Sequence, residues 1–88
     1  MKLKYQLAVQ QVMDFWAAVP VGKDSMRYNG VMSLNETSKD IIELLKEETT
    51  EEEIVKKMLE EYDVTGDVLR KHVSEFLDKL REEKLLVE

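Results

Sequence analysis

The stretch Leu34-Asn35-Glu36-Thr37-Ser38 divides this chain into two parts with different periodicities. Before it, apolar residues alternate or come in short runs, ending with Val31, Met32 and Leu34. After it, Ile41, Ile42, Leu44 and Leu45 recur at helical spacing. Alternation sends successive side chains to opposite faces of a strand, whereas recurrence every three or four residues gathers them on one face of a helix. Asn35 is a favoured N-cap, because its side-chain oxygen accepts from a backbone N–H that the first helical turn leaves unpaired. Glu36 and Asp40 add negative charge near the positive end of the helix dipole. A chain that changes period at one capped boundary is held to a small sheet followed by helices.

Within the first part, the loose alternation of Leu3, Tyr5, Leu7 and Val9 predicts a strand over about 3–13. The apolar run from Phe15 to Val21 predicts a second. Pro20 has no N–H for a ladder and belongs at an edge or near a strand end. Gly22-Lys23-Asp24-Ser25 and Asn29-Gly30 read as turns, the second suited to a tight hairpin. An alternative puts the hairpin tip at 22–25 and starts the third strand near Met26 or Arg27. Residues 30–34 form a short strand, so strands fill about 3–34 in an antiparallel sheet of two or three.

Helices are expected at about 36–47, 50–62 and 66–83. Thr50 with Glu53 has the spacing of a capping box, and Ile54, Val55, Met58, Leu59 and Tyr62 form the stripe behind it. Asp63 to Asp67 interrupts the pattern, and Leu85-Leu86-Val87 is a short apolar tail. The links are too short to separate domains, so residues 1–88 read as one domain. Its class is α+β: a small antiparallel sheet and then three helices, an order shared with winged helix-turn-helix domains.

The third helix has more apolar arc than one core needs. At about 100° per residue from Val68, His72 falls near 40°, Phe76 near 80°, Leu69 near 100°, Leu80 near 120°, Val73 near 140° and Leu77 near 180°. A single packing contact needs only about 100°. The excess implies a second contact, supplied either by the sheet or by a partner in a groove between this helix and the last strand. A small sheet also has edges whose unpaired N–H and C=O groups can take up an extended peptide as an added strand.

Chemistry is sparse. There is no cysteine, which excludes disulfides and thiolate metal sites and suits a cytoplasmic location. His72 is the only histidine, so a nucleophile–base dyad has little to draw on. Gly22, Gly30 and Gly66 are isolated, giving no phosphate-cradling loop, and no EF-hand spacing occurs. The reading is of a protein without catalytic residues, metal or cofactor. No apolar run reaches the roughly 18 residues of a membrane span. The net charge is −6, with eleven acidic and four basic residues between 35 and 63. That distribution opposes a nucleic-acid footprint. In the third helix, Arg70, Lys71, Lys79, Arg81 and Lys84 are diluted by Glu75, Asp78, Glu82 and Glu83.

Three segments resemble the pyrroloquinoline quinone synthesis protein D family. They are Leu34-Asn35-Glu36-Thr37 with Ile41, Ile42, Leu44 and Leu45; Thr50-Glu51-Glu52-Glu53-Ile54-Val55 with Glu61-Tyr62-Asp63-Val64; and Val73, Phe76-Leu77, Leu80 with Leu85-Leu86. The resemblance spans about residues 15–88. It implies a winged-helix-like peptide recognition element that binds the leader of a ribosomally made precursor peptide. Such an element delivers the leader to a modifying enzyme, often a radical S-adenosylmethionine protein. It further implies that the leader lies beside the third strand and packs against the third helix. By position, the peptide-binding residues would be Val31, Met32, Ser33 and Leu34 on the strand and Leu69, His72, Val73 and Phe76 on the helix. The competing functions are a winged-helix DNA-binding regulator, set aside on charge, and a structural oligomerisation domain; a homodimer is compatible with the leading reading.

Overall fold

A computed structural model describes residues 1–22 and 31–88. Among the described residues five strands and three helices follow in order: β1 (Lys2–Leu3), β2 (Leu7–Val12), β3 (Phe15–Pro20), β4 (Met32–Leu34), α1 (Glu36–Leu44), α2 (Glu51–Glu61), α3 (Gly66–Glu82) and β5 (Leu86–Val87). Strands β2, β3 and β4 make one antiparallel sheet with β3 in the centre, and β1 pairs antiparallel with β5. This is the expected α+β, winged-helix-like arrangement of a small sheet followed by three helices.

The strand expected over 3–13 is two strands. The chain leaves its first direction after Leu3, where the Lys4 N–H donates to the Leu85 carbonyl at 2.7 Å, and it rejoins a sheet at Leu7. Alternation survives the break, because Leu3, Tyr5 and Leu7 all turn inward, which is why the break is silent in the apolar pattern. The apolar tail is strand β5 and closes on the N-terminal segment. The hairpin between β2 and β3 turns on Met13-Asp14, with Val12 opposite Phe15. Met13 has φ 57°, a positive angle at the first of two loop residues, as in a type II′ turn. The turn expected at Asn29-Gly30 and most of the one expected at 22–25 lie outside the described residues. Gly22 itself is described and has φ +64°.

Each helix starts at a side-chain cap. Asn35 accepts from the Ser38 N–H at 2.8 Å, Thr50 from the Glu53 N–H at 3.2 Å and Thr65 from the Val68 N–H at 3.4 Å. The capping box at α2 is only half formed, because the Glu53 carboxylate accepts from the Thr49 hydroxyl at 3.2 Å. Helix α3 ends in a Schellman motif. The Leu85 N–H reaches back to the Leu80 carbonyl and the Lys84 N–H to that of Arg81, with Lys84 at φ 60°.

The core lies between one face of the β2-β3-β4 sheet and the helices. Met32 and Leu34 of β4 join Ile41, Ile42 and Leu45 from α1 and its end, Ile54 and Met58 from α2, and Leu69, Val73, Leu77 and Leu80 from α3. Helix α1 packs on β3, β4, α2 and α3, so it is the layer that ties sheet to helices. A polar network reinforces this seam. The Tyr62 hydroxyl donates to Asp40, Lys39 pairs with Asp40 at 2.6 Å, and the Lys39 ammonium lies 4.7 Å from the centroid of the Trp16 ring. Burial, and then the bond to Asp40, push the Tyr62 phenol above its ordinary range.

Candidate strand-addition site on β4 and α3

The free edge of β4 follows from the hydrogen-bond parity of the sheet. Antiparallel pairs alternate between residues that exchange both backbone bonds and residues that exchange none. The Val21 N–H donates to the Gln6 carbonyl at 3.0 Å, which marks that pair as bonded. Counting along the register, Val19, Ala17 and Phe15 of β3 bond to β2, and Pro20 falls at a non-bonded pair. Its missing N–H therefore costs the hairpin nothing. Trp16 and Ala18 then direct their backbone groups toward β4, where their partners are Leu34 and Met32. Ser33, opposite Ala17, has its N–H and C=O turned away from the sheet. Val31 shares that orientation by alternation.

Side chains follow the same parity on the other axis. Met32 and Leu34 point into the core, at 7% and 3% exposed, while Ser33 and Val31 are exposed. The switch into α1 enforces this arrangement. Leu34 is anchored inward immediately before Asn35 caps the helix, so the strand cannot rotate to offer its other edge.

Helix α3 divides its wide apolar arc in two. Leu69, Val73, Leu77 and Leu80 are buried, whereas Val68 and His72 are exposed and Phe76 is half-buried. The flank from about 0° to 80° is therefore apolar surface left over after the core is filled. Val68, at 48% exposed, belongs to it although it was not among the eight residues expected at the site. Its place in the arc was the available signal.

The eight expected residues thus fall into two kinds of position. Val31, Ser33, His72 and Phe76 present backbone or side-chain surface. Met32, Leu34, Leu69 and Val73 are buried and set the position of the elements that carry the others. Both arginines of α3 have carboxylate partners. Arg81 pairs with Asp78 at 2.9 Å and with Glu88 at 3.0 Å, and Arg70 lies 3.9 Å from Asp67. Among the described residues no cluster of three or more histidine, cysteine, aspartate or glutamate side chains could hold a metal ion. No helix among them is long and apolar enough to cross a membrane.

An open strand edge on a small sheet, packed with three helices of which the last keeps an uncovered apolar flank, defines a compact α+β binding scaffold. Residues 21–86 match the family described as coenzyme PQQ synthesis protein D (PqqD), and the chain belongs to that family. Among solved structures, it is similar to TbiB1 in complex with the TbiA(beta) leader peptide, with a TM-score of 0.72 and 23% identity. That match covers 98% of this chain and 94% of TbiB1. At this identity the likeness is one of fold. No curated protein matches the sequence.

Proposed function

We propose that this protein is a non-catalytic adaptor that binds the leader of a ribosomally made precursor peptide by strand addition on β4. The outward N–H and C=O of Ser33 carry this reading, since they are a ready donor–acceptor pair on an edge held rigid from behind by Met32 and Leu34. Val31 extends the same edge. Alternate side chains of an added strand would rest on the flank of α3 at Val68, His72 and Phe76. Membership of the PqqD family and the leader peptide bound to TbiB1 support the choice of a leader over other extended peptides. The bound leader is handed to a modifying enzyme, for which we propose a radical S-adenosylmethionine protein.

The test is a titration of the labelled protein with synthetic leader peptides from precursors encoded near its gene, following backbone amides. Shifts should concentrate at residues 31–34 and on the Val68–Phe76 flank. Ser33→Pro removes the outward donor and no bond of the β3–β4 ladder, so it should abolish binding while the amide spectrum stays folded. Undiminished binding by Ser33→Pro would place the peptide elsewhere. A winged-helix DNA function fits less well, because carboxylates of the same chain occupy both arginines of α3.

A further inference from the structure

One cleft of the described surface runs against the charge of the chain. The net charge is −6, and four clefts along the helices each carry at least two glutamates. The cleft beside β1, of about 430 Å³, is lined by no acidic residue among those described; Lys2, Lys4 and Lys46 stand around it with Tyr5. Leu3 and Tyr5 turn inward, so Lys2 and Lys4 both rise on the outward side of the same segment. The Lys4 ammonium stands 5.6 Å from the centroid of the Tyr5 ring. Nearby carboxylates are engaged by other cations. Glu43 pairs with Lys46 at 3.1 Å, Glu48 with the Met1 ammonium at 3.0 Å and Glu88 with Arg81 at 3.0 Å. Among the described residues neither Lys2 nor Lys4 has a carboxylate partner. In a chain with 19 acidic residues against 13 basic, two adjacent unpaired cations make a local positive potential that the chain had ample means to cancel.

We propose that this cleft docks an acidic segment of the enzyme that modifies the precursor. The proposal rests on the adaptor reading above, and place and charge carry it further. The cleft lies where β1 pairs with β5 and where α1 ends, since the Leu3 N–H donates to the Leu45 carbonyl at 2.9 Å. Strand β4 meets the other end of α1, at the Asn35 cap. Nine helical residues separate the two ends, about 13 Å. A strand paired with Val31–Leu34 leaves the cleft uncovered. An adaptor holds two partners at once, so the enzyme must use a surface that the leader leaves free. The carboxylates along α1 and α2 repel an acidic segment, and Lys2 and Lys4 draw it to one place. Acidic residues two apart on an extended segment stand on one side at a spacing of about 7 Å. Lys2 and Lys4, also two apart, offer a matching pair of cations.

Calorimetric titration of the full chain with the modifying enzyme encoded beside its gene tests this. Lys2→Glu combined with Lys4→Glu should weaken enzyme binding by roughly tenfold or more. Lys56→Glu combined with Lys57→Glu, at exposed positions on α2, changes the net charge equally and should weaken it less than about twofold. Lys2→Gln with Lys4→Gln removes the charge without reversing it; it should weaken binding in the same direction, and it decides the matter if the reversed variant loses its folded amide spectrum. A capped pentaglutamate peptide should shift the amides of Lys2, Lys4 and Lys46, and a capped pentalysine peptide should not. An enzyme that does not bind overturns the proposal. So does binding that survives removal of both lysine charges, equal loss in the two reversed variants, or pentaglutamate shifts absent from the cleft. The leader titration at residues 31–34 is run on the same samples. Leader binding without enzyme binding overturns this proposal and leaves the β4 reading standing, whereas absence of leader binding overturns the β4 reading itself.

Discussion

Trp16 on the central strand stands directly opposite Leu34, the last residue of the edge strand, at a hydrogen-bonded pair. Trp16 is the only tryptophan, and its half-buried ring lies under the Lys39 ammonium. Its emission therefore reports on the seam where sheet, edge strand and α1 meet. Leu34→Ala opens a void on that seam from a side chain only 3% exposed, and should cost about 2–4 kcal/mol. The native emission should shift to longer wavelength. Ser33→Ala, one residue away but facing out, should change stability by less than about 0.5 kcal/mol and leave the emission alone. Urea unfolding followed at Trp16 distinguishes the two. Equal effects would mean that the facing of β4 has been assigned in the wrong sense.

The three helix caps should rank by the quality of their contacts. Asn35→Ala removes a 2.8 Å bond to the Ser38 N–H and should cost about 1 kcal/mol. Thr65→Ala removes a 3.4 Å contact and should cost only a few tenths of that scale, roughly 0.3 kcal/mol. Asn35→Ala has a further consequence, since the capped turn follows Leu34 directly. Amide exchange in β4 should accelerate in that variant and stay unchanged in Thr65→Ala.

The caps also show how far the sequence could be read. Asn35 and Thr50 were legible because capping needs a particular side chain at a particular spacing, and both helices start where those residues put them. The stripes of α1 and α2 were legible for the same kind of reason. The Met13-Asp14 turn was not, because methionine has no preference for a positive φ, whereas the glycines near 22 and 30 advertised turns strongly. That turn sets the register, and the register decides that Ser33 faces outward. The strand edge could be foreseen, but its hydrogen-bonding parity could not. On α3 the excess arc was visible in the spacing. Which half would be buried depended on how α1 and α2 dock, and that is a tertiary fact.

Lys84 carries a conformation better suited to glycine. It occupies the left-handed position of the Schellman motif that ends α3, with φ 60°, and its side chain is exposed. Lys84→Gly removes the steric penalty of a β-carbon there, and should raise stability by about 0.5–1 kcal/mol despite the added freedom of the unfolded chain. The 2.9 Å bond from the Leu85 N–H to the Leu80 carbonyl should persist, so β5 should keep its protection from amide exchange. A loss of stability on substitution would show that the lysine side chain contributes more than its backbone strain costs.

The Tyr62–Asp40 contact predicts a loss of stability in alkali. The phenol is raised above its ordinary value of 10.0, first by burial and then by donating to Asp40, whose carboxylate would repel a phenolate. The folded state therefore holds this proton more tightly than the unfolded state. The associated stability is fully present below about pH 10 and is lost as the pH rises through the unfolded value toward the higher folded one. The Lys39 ammonium, raised chiefly by its bond to Asp40, acts in the same direction, because the folded state also favours its charged form. Tyr62→Phe deletes the hydroxyl and leaves Asp40 paired with Lys39 at 2.6 Å. It should cost about 1–2 kcal/mol near neutral pH. Above about pH 10 its stability should fall less steeply than that of the unaltered chain, so the two curves converge. Parallel curves across that range would show that Tyr62 donates no proton to Asp40 in the folded protein.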